Sequence, residues 1–451
     1  MATIFLRPGG FCAYLAASML DHSRTARTYY YELWRAGTAG ILETAGSTFL
    51  LVIALRWFQA GALAKAVVAG AGSLGLLLSP GVVAWASSVG WPTSKAASRV
   101  MALGAASFLL AAAWLGLPLW LQSQVEPGHW LARLSAAWPN LPVFVLCSVM
   151  AMASSSAVIP LLTQMYQENY PEAERGRRFS RTVMIRIATA AAFSKVAGDA
   201  LSSHMQLFPW LLLVFGTALA LASFCLARCP TRPLVADDRA HALRALRFVR
   251  DDRLFRHTLV CWMLMGFANL MMLPLRVEYL ANEKYHLALS VGMIALLTGV
   301  IPNLARLALS PVWGYLFDHM NFFALRVTLN LGFAAGIVTF FMSNSLAGMI
   351  GGAVIFGISN AGGDVAWSLW VTKFAPPERV ADYMSVHTFL TGVRGVLAPL
   401  VAFYFVSHLS LGLLALVASG LILAATFLLL PEIKFGRTAR PTTALVEEVS
   451  E

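Results

Sequence analysis

The sequence predicts an all-α polytopic membrane protein, twelve transmembrane helices arranged as two pseudo-symmetric six-helix bundles. Three observations predict it. The chain of 451 residues is 58% hydrophobic and only 12% charged, with a mean hydropathy of +0.69, whereas soluble domains run about half apolar and about a quarter charged. Its apolar residues gather into blocks of the ~20 residues that cross a bilayer core, not into the alternating pattern of a barrel strand. Short matches then recur in the same order in the first and second halves of the chain. A cytosolic enzyme, a disordered protein and a nucleic-acid-binding domain are excluded by this composition. The net charge of +11 therefore belongs to membrane-anchoring loops, not to a nucleic-acid surface.

The twelve spans fall at 36–56, 62–84, 100–121, 141–165, 182–203, 207–227, 258–280, 288–316, 324–343, 346–373, 383–407 and 409–430. The joins at 57–61, 204–206 and 407–409 are short enough to require hairpins between antiparallel helices. This divides the chain into a tail at 1–34, a first bundle at 35–228, a basic linker at 229–256, a second bundle at 257–431 and a tail at 432–451. Residues 8–20 resemble a signal-peptide core but follow a single Arg7, and are read as a cytoplasmic or interfacial tail. In the linker, Leu243, Leu246 and Val249 share one helical face and Arg244, Arg247 and Arg250 another, as expected of a segment lying on the membrane surface.

With both termini cytoplasmic, 24 of the 33 Lys and Arg lie on the cytoplasmic side. Only Arg56, Lys65, Arg133, Arg276 and Lys284 lie outside. The positive-inside bias thus sets both termini in the cytoplasm, and a cell inner membrane is expected. Five cysteines (Cys12, Cys147, Cys225, Cys229, Cys261) make no disulfide framework. Cys225 and Cys229, one helical turn apart, lack His or carboxylate neighbours of metal-site spacing, so neither metal nor cofactor is expected.

The repeats are specific. TAGSTFLLVIALRWF at 44–58 aligns with LMGFANLMMLPLRVEY from 264, pairing Gly46 with Gly266 and Arg56 with Arg276. Ser79-Pro80 pairs with Ser310-Pro311 and Lys95 with Arg326, while Glu174-Arg175 pairs with Glu378-Arg379. Parallel repeats of this kind imply a pseudo-two-fold axis along the membrane normal. On these residues the chain resembles the major facilitator superfamily over about residues 30–431. The family's loop signature is present as Gly314, Asp318 and Arg326 and is degraded after span 2, where Ser87 stands at the Asp position. The glycine-rich antiporter signature is missing from span 5, IRIATAAAFSKVAGDALSS. The resemblance implies that spans 1, 4, 7, 10 and 2, 5, 8, 11 line a central cavity while 3, 6, 9 and 12 face lipid. It also implies a monomer, and a Gly314–Asp318–Arg326 gate that holds the halves together.

An ionisable residue inside a span is costly and so is a functional candidate. Glu43 (span 1), Arg186, Lys195 and Asp199 (span 5), Arg306 (span 8), Asp364 (span 10) and Arg394 (span 11) all fall on expected cavity helices. At ~1.5 Å per residue, Arg306, Asp364 and Arg394 each lie ~14–17 Å deep, near the midplane. Glu43, Lys195, Arg306, Asp364 and Arg394 are expected to form the polar cluster of the cavity. Lys195 and Asp199 at i,i+4 are equally readable as a self-neutralising pair. Glu43 and Asp364 have no opposite charge one turn away, and either can carry a coupling proton, because low dielectric favours a neutral acid and a nearby guanidinium the charged one.

Asn269, Asn360, Trp367, Trp370 and His387 are the cavity-lining candidates, the two tryptophans being equally readable as packing or as substrate-stacking groups. Arg56 and Arg276, at the outer ends of spans 1 and 7, are read as snorkelling to headgroups, the alternative being that they guide an anionic substrate into the outward cavity. The GAGSLG run at 70–75 fits a dinucleotide fingerprint, but it lies inside span 2 without a preceding strand and is read as close helix packing. No P-loop occurs, which argues against an ATP-driven pump. No compact catalytic set is found, so an enzyme is not expected. The function expected is alternating-access secondary transport of a small polar or amphiphilic solute, an organic anion or zwitterion, with protons as the coupling ion and lipids as surroundings. The alternatives are an exporter or flippase of a lipid-like molecule, and a non-transporting membrane receptor.

Overall fold

A computed structural model describes residues 8–124, 140–233, 246–287, 289–343, 345–373 and 380–434. Among them eleven helices are long and apolar enough to cross a membrane: α1 (Ser23–Arg56), α2 (Ala62–Val89), α3 (Thr93–Trp120), α4 (Asn140–Asn169), α6 (Met205–Arg228), α7 (Arg253–Ala281), α8 (Val291–Phe317), α9 (Phe322–Met342), α10 (Leu346–Trp367), α11 (Val386–Phe405) and α12 (Leu411–Glu432). The twelfth, α5 (Glu172–Ser203), is 32 residues long and fails only the apolar criterion, because Arg186, Lys195 and Asp199 interrupt it. The protein is an integral multi-pass membrane protein, and the described residues contain no β-strand.

Local chemistry sets the helix ends. Asp252, Ser290, Asn321, Ser345 and Ser410 each precede a helix of the second bundle and accept a backbone N–H from its first turn, satisfying donors that have no partner inside the helix. Gly90 ends α2 at φ 65°, a left-handed stop open to a residue without Cβ.

Helix 1 starts far earlier than expected from hydropathy. The helix is continuous from Pro8, and the spanning segment takes in RTARTYYYELWR, which hydropathy alone assigns to the tail. The reason is pairing. Arg35 Nε and Nη2 donate to Glu32 at 2.6 and 2.8 Å. Tyr166 on α4 donates to Glu32 at 2.7 Å, so the Glu32 carboxylate is buried with its charge paired. The linker's Leu243 and Arg244 lie outside the described residues, as do Arg133 and the Glu378-Arg379 loop.

The halves meet along α2–α11 and α5–α8, with α1 against α7 and α8. These seams are built from small residues. A Cβ added to Gly392 of α11 would lie 2.6 Å from the Leu77 backbone N of α2. In the GAGSLG run, Gly70 faces Gly395 and Val396 of α11 and Gly75 faces Ala153 of α4, which is the helix packing expected of it.

Two π-helical turns interrupt the central helices, Ala45–Phe49 in α1 and Leu296–Val300 in α8. They face each other across the seam, where the Thr48 and Thr298 hydroxyls are 2.9 Å apart. Single π turns frequently mark functional positions. Glu43 lies just before the first, and Arg306 follows the second by less than two turns.

Candidate functional site

Four charges from four helices converge beside the π turns. Arg306 of α8 is buried and lies between two carboxylates: its Nε donates to Asp364 Oδ2 of α10 at 2.5 Å, and its Nη1 donates to Glu43 Oε1 of α1. The second oxygen of Glu43 is 3.2 Å from Arg186 Nε of α5. Asn303, one turn before Arg306, accepts from Nη1 at 3.3 Å. Glu43, Arg186 and Asp364 are each half-buried.

Two acids facing two guanidiniums leave the group neutral, which is how charges persist inside a membrane protein. Glu43 and Arg186 belong to the first half and Arg306 and Asp364 to the second, so the Glu43–Arg306 pair bridges the two halves. The arrangement can do two things chemically. It can offer a guanidinium to a solute's acid group, and it can leave a displaced carboxylate to take a proton.

Of the five residues expected to cluster, the structure brings together Glu43, Arg306 and Asp364. Lys195 and Asp199 lie elsewhere on α5, 2.7 Å apart, with side chains 59% and 55% exposed. They neutralise each other one turn apart, and so they need no partner in the cavity. Arg394 lies inside the second half, donating to the Trp262 carbonyl oxygen at 2.6 Å. Trp370 is wholly buried in a stack with Trp262 and Phe255, which is packing. His387 is not isolated: its ring meets those of Trp262 and Trp370 edge-on at 5.2 and 5.0 Å, and Trp367 lies 5.8 Å away. Asn360 is half-buried one turn before Asp364. Asn269 lines a small void with Arg276, Gly336, Gly352 and Phe356, between α7, α9 and α10, away from Arg306.

Two expected roles change. Arg276 does not snorkel: its guanidinium lies 3.9 Å above the Phe356 ring. Arg326 of the expected gate motif is buried against the Trp262 ring at 3.7 Å. Gly314 has open space around it, and the Asp318 side chain lies outside the described residues.

Sequence reasoning counted Arg186 but did not place it in the cluster. It also missed a second inter-half pair, Lys65 of α2 with Glu278 of α7 at 2.8 Å. Glu278 holds a further bond from Asn282 Nδ2 at 2.7 Å, and Lys65 Nζ lies over Phe403 of α11 at 5.0 Å. Nearby, Arg56 Nη2 donates to the Leu289 carbonyl oxygen at 3.0 Å. All of these are at the end of the bundle opposite the start of α1. At the other end the bonds described stay within one half, such as Arg24 to Glu168, Thr93 to the Arg232 carbonyl and Tyr383 to Asp252.

Comparison with known proteins agrees with this architecture. The family profile described as Major Facilitator Superfamily matches residues 97–399. Among solved structures, the chain is similar to a point mutant of the nucleoside transporter NupG at TM-score 0.65 and 12% identity, covering 90% of this chain and 99% of that one. It is also similar to a D-xylose-proton symporter at TM-score 0.58 and 14% identity, covering 91% and 96%. The inward-open xylose transporter XylE from E. coli matches at TM-score 0.59 and 15% identity, covering 90% and 95%. No curated protein sequence matches the chain.

Proposed function

The chain belongs to the major facilitator superfamily, and from that premise we propose that it is a proton-coupled secondary transporter of a small organic anion or zwitterion. The observation that carries this reading is Arg306 held between Glu43 and Asp364 across the seam of the two halves.

Arg306 has one guanidinium and two carboxylate partners from opposite sides. An incoming acid group competes with one of them. The carboxylate so displaced has lost the Arg306 guanidinium that faced its charge. It takes a proton from the water of the open cavity. With that proton on Glu43, the bridge between α1 and α8 is lost and the halves are free to rock. In the empty carrier Glu43 contacts both Arg186 and Arg306, so two acids balance two guanidiniums. Release of solute and proton on the other side restores both pairs.

The positive-inside pattern assigns the end where α1 begins to the cytoplasm. On that assignment, the Lys65–Glu278 and Arg56–Leu289 contacts close the outer side, and among the described residues the bonds of the inner side stay within each half. This supports an inward-facing state. The D-xylose-proton symporter among similar structures is consistent with a fold that couples solute to protons. The test is uptake into proteoliposomes, screened over small carboxylates and zwitterions with and without an imposed pH gradient. Uptake that rises with an inward proton gradient supports the reading; uptake indifferent to it overturns proton coupling.

A further inference from the structure

A second group of buried cations lies wholly inside the second half, built around Trp262 of α7. The Arg326 guanidinium from α9 lies over the Trp262 ring at 3.7 Å, with Nη2 3.5 Å from Met265 Sδ. Arg394 from α11 donates Nη1 to the Trp262 carbonyl oxygen, and its guanidinium lies against Gly266, where a Cβ would come within 2.0 Å of Nη1. His387, two turns before Arg394, stands edge-on to Trp262. Arg326, Arg394 and His387 are 2%, 9% and 0% exposed.

Among the described residues no carboxylate forms an ion pair with either arginine. Arg394 Nε and both ring nitrogens of His387 have no hydrogen-bond partner. A buried cation without a counter-charge is strongly destabilising. A cation–π contact offsets part of that cost, and one backbone carbonyl does not neutralise a second guanidinium. The surrounding groups are donors and aromatic faces: two arginines, an imidazole, Trp262 and Trp367. Such a set complements a small anion and nothing cationic.

We propose that Arg326, Arg394 and His387 form an anion-binding site for one small monovalent anion, the acid group of a carboxylate or a chloride ion. It is separate from the Arg306 site and stands whether or not that site couples protons. Gly266 leaves the room that Arg394 occupies. Trp367 is half-buried, packs on His387 and lies one turn past Asp364 on α10.

The test is thermal unfolding of the full-length protein in detergent, titrated with sodium chloride and, separately, sodium acetate, against sodium sulfate of equal ionic strength. A ligand that binds only the folded state raises the transition in a saturable manner. The expected result is a saturable rise with acetate or chloride that sulfate does not reproduce. Saturation by acetate alone assigns a carboxylate, and saturation by chloride that acetate competes with assigns a resident halide site. Gly266→Ala keeps every charge but displaces the Arg394 guanidinium, so its half-saturating concentration rises at least tenfold. Arg394→Gln abolishes the effect, and if that variant does not fold, Gly266→Ala and Arg326→Lys decide. No saturable rise in the parent protein, or an unchanged half-saturation in Gly266→Ala and Arg326→Lys, overturns the proposal.

Discussion

Lys65 on α2 and Glu278 on α7 are 2.8 Å apart across the seam between the two halves, and only 1% of the Glu278 side chain is exposed. The pair sits over Phe403 and is braced by Asn282. It therefore behaves as a buried pair and not as a screened surface contact. Opening this end of the bundle requires that the pair be broken, so it is a closing device as well as a packing one.

Breaking one partner of a buried pair costs about 3–5 kcal/mol, while replacing both with apolar residues is often neutral. Lys65→Met is therefore expected to lower the thermal transition sharply, and Lys65→Met/Glu278→Met to recover most of the loss. A double-mutant cycle on the purified protein checks this. Single variants as stable as the parent would show that the pair contributes little to closure.

The seam between α2 and α11 predicts a packing defect. Gly392→Leu adds a Cβ that would lie 2.6 Å from the Leu77 backbone N, with further side-chain atoms beyond it. Overpacking of this kind costs about 1–3 kcal/mol, and here it also pushes the halves apart. Gly81→Ala, on the same helix as Leu77 with nothing within 4 Å, is the control. Fluorescence size-exclusion after a heating series should separate the two, with Gly392→Leu aggregating at the lower temperature.

Cys229 follows the end of α6, is buried, and donates to the Cys225 carbonyl oxygen at 3.4 Å. Burial, and next the charge of Glu32, pushes its thiol up to about 12. Because the folded state holds the thiol neutral, this contribution to stability is intact below the ordinary thiol range. It is lost as pH rises from there toward 12. Native protein at pH 8 is expected to leave Cys229 unmodified by a small maleimide, and denatured protein to react fully, by mass spectrometry. Rapid native labelling would contradict the burial.

Twelve spans, the two-fold repeat and the three charges Glu43, Arg306 and Asp364 that the structure brings together were legible in the sequence, because each depends on local pattern or on a charge in an apolar block. What was not legible depends on pairing over long separations. Glu32 and Arg35 look like tail residues until Tyr166 is known to meet them. Glu278 looks like an interfacial acid until Lys65 is placed against it. Arg394 sits at the same depth as Arg306, yet depth along a helix does not report which way a side chain turns, and it turned into the second half. Arg326 was read as a loop cation because a motif marks positions, not burial.

The central claim is that Glu43 and Asp364, sharing Arg306, link the solute to the proton. The most direct measurement uses proteoliposomes loaded with a pH-sensitive dye and a transported carboxylate or zwitterion, comparing the parent protein with Glu43→Gln and Asp364→Asn. The account predicts that the parent moves protons with solute. It predicts that at least one of the two variants keeps solute exchange while losing both the proton movement and the response to an imposed pH gradient. Proton movement and gradient response at parental levels in both variants would contradict it.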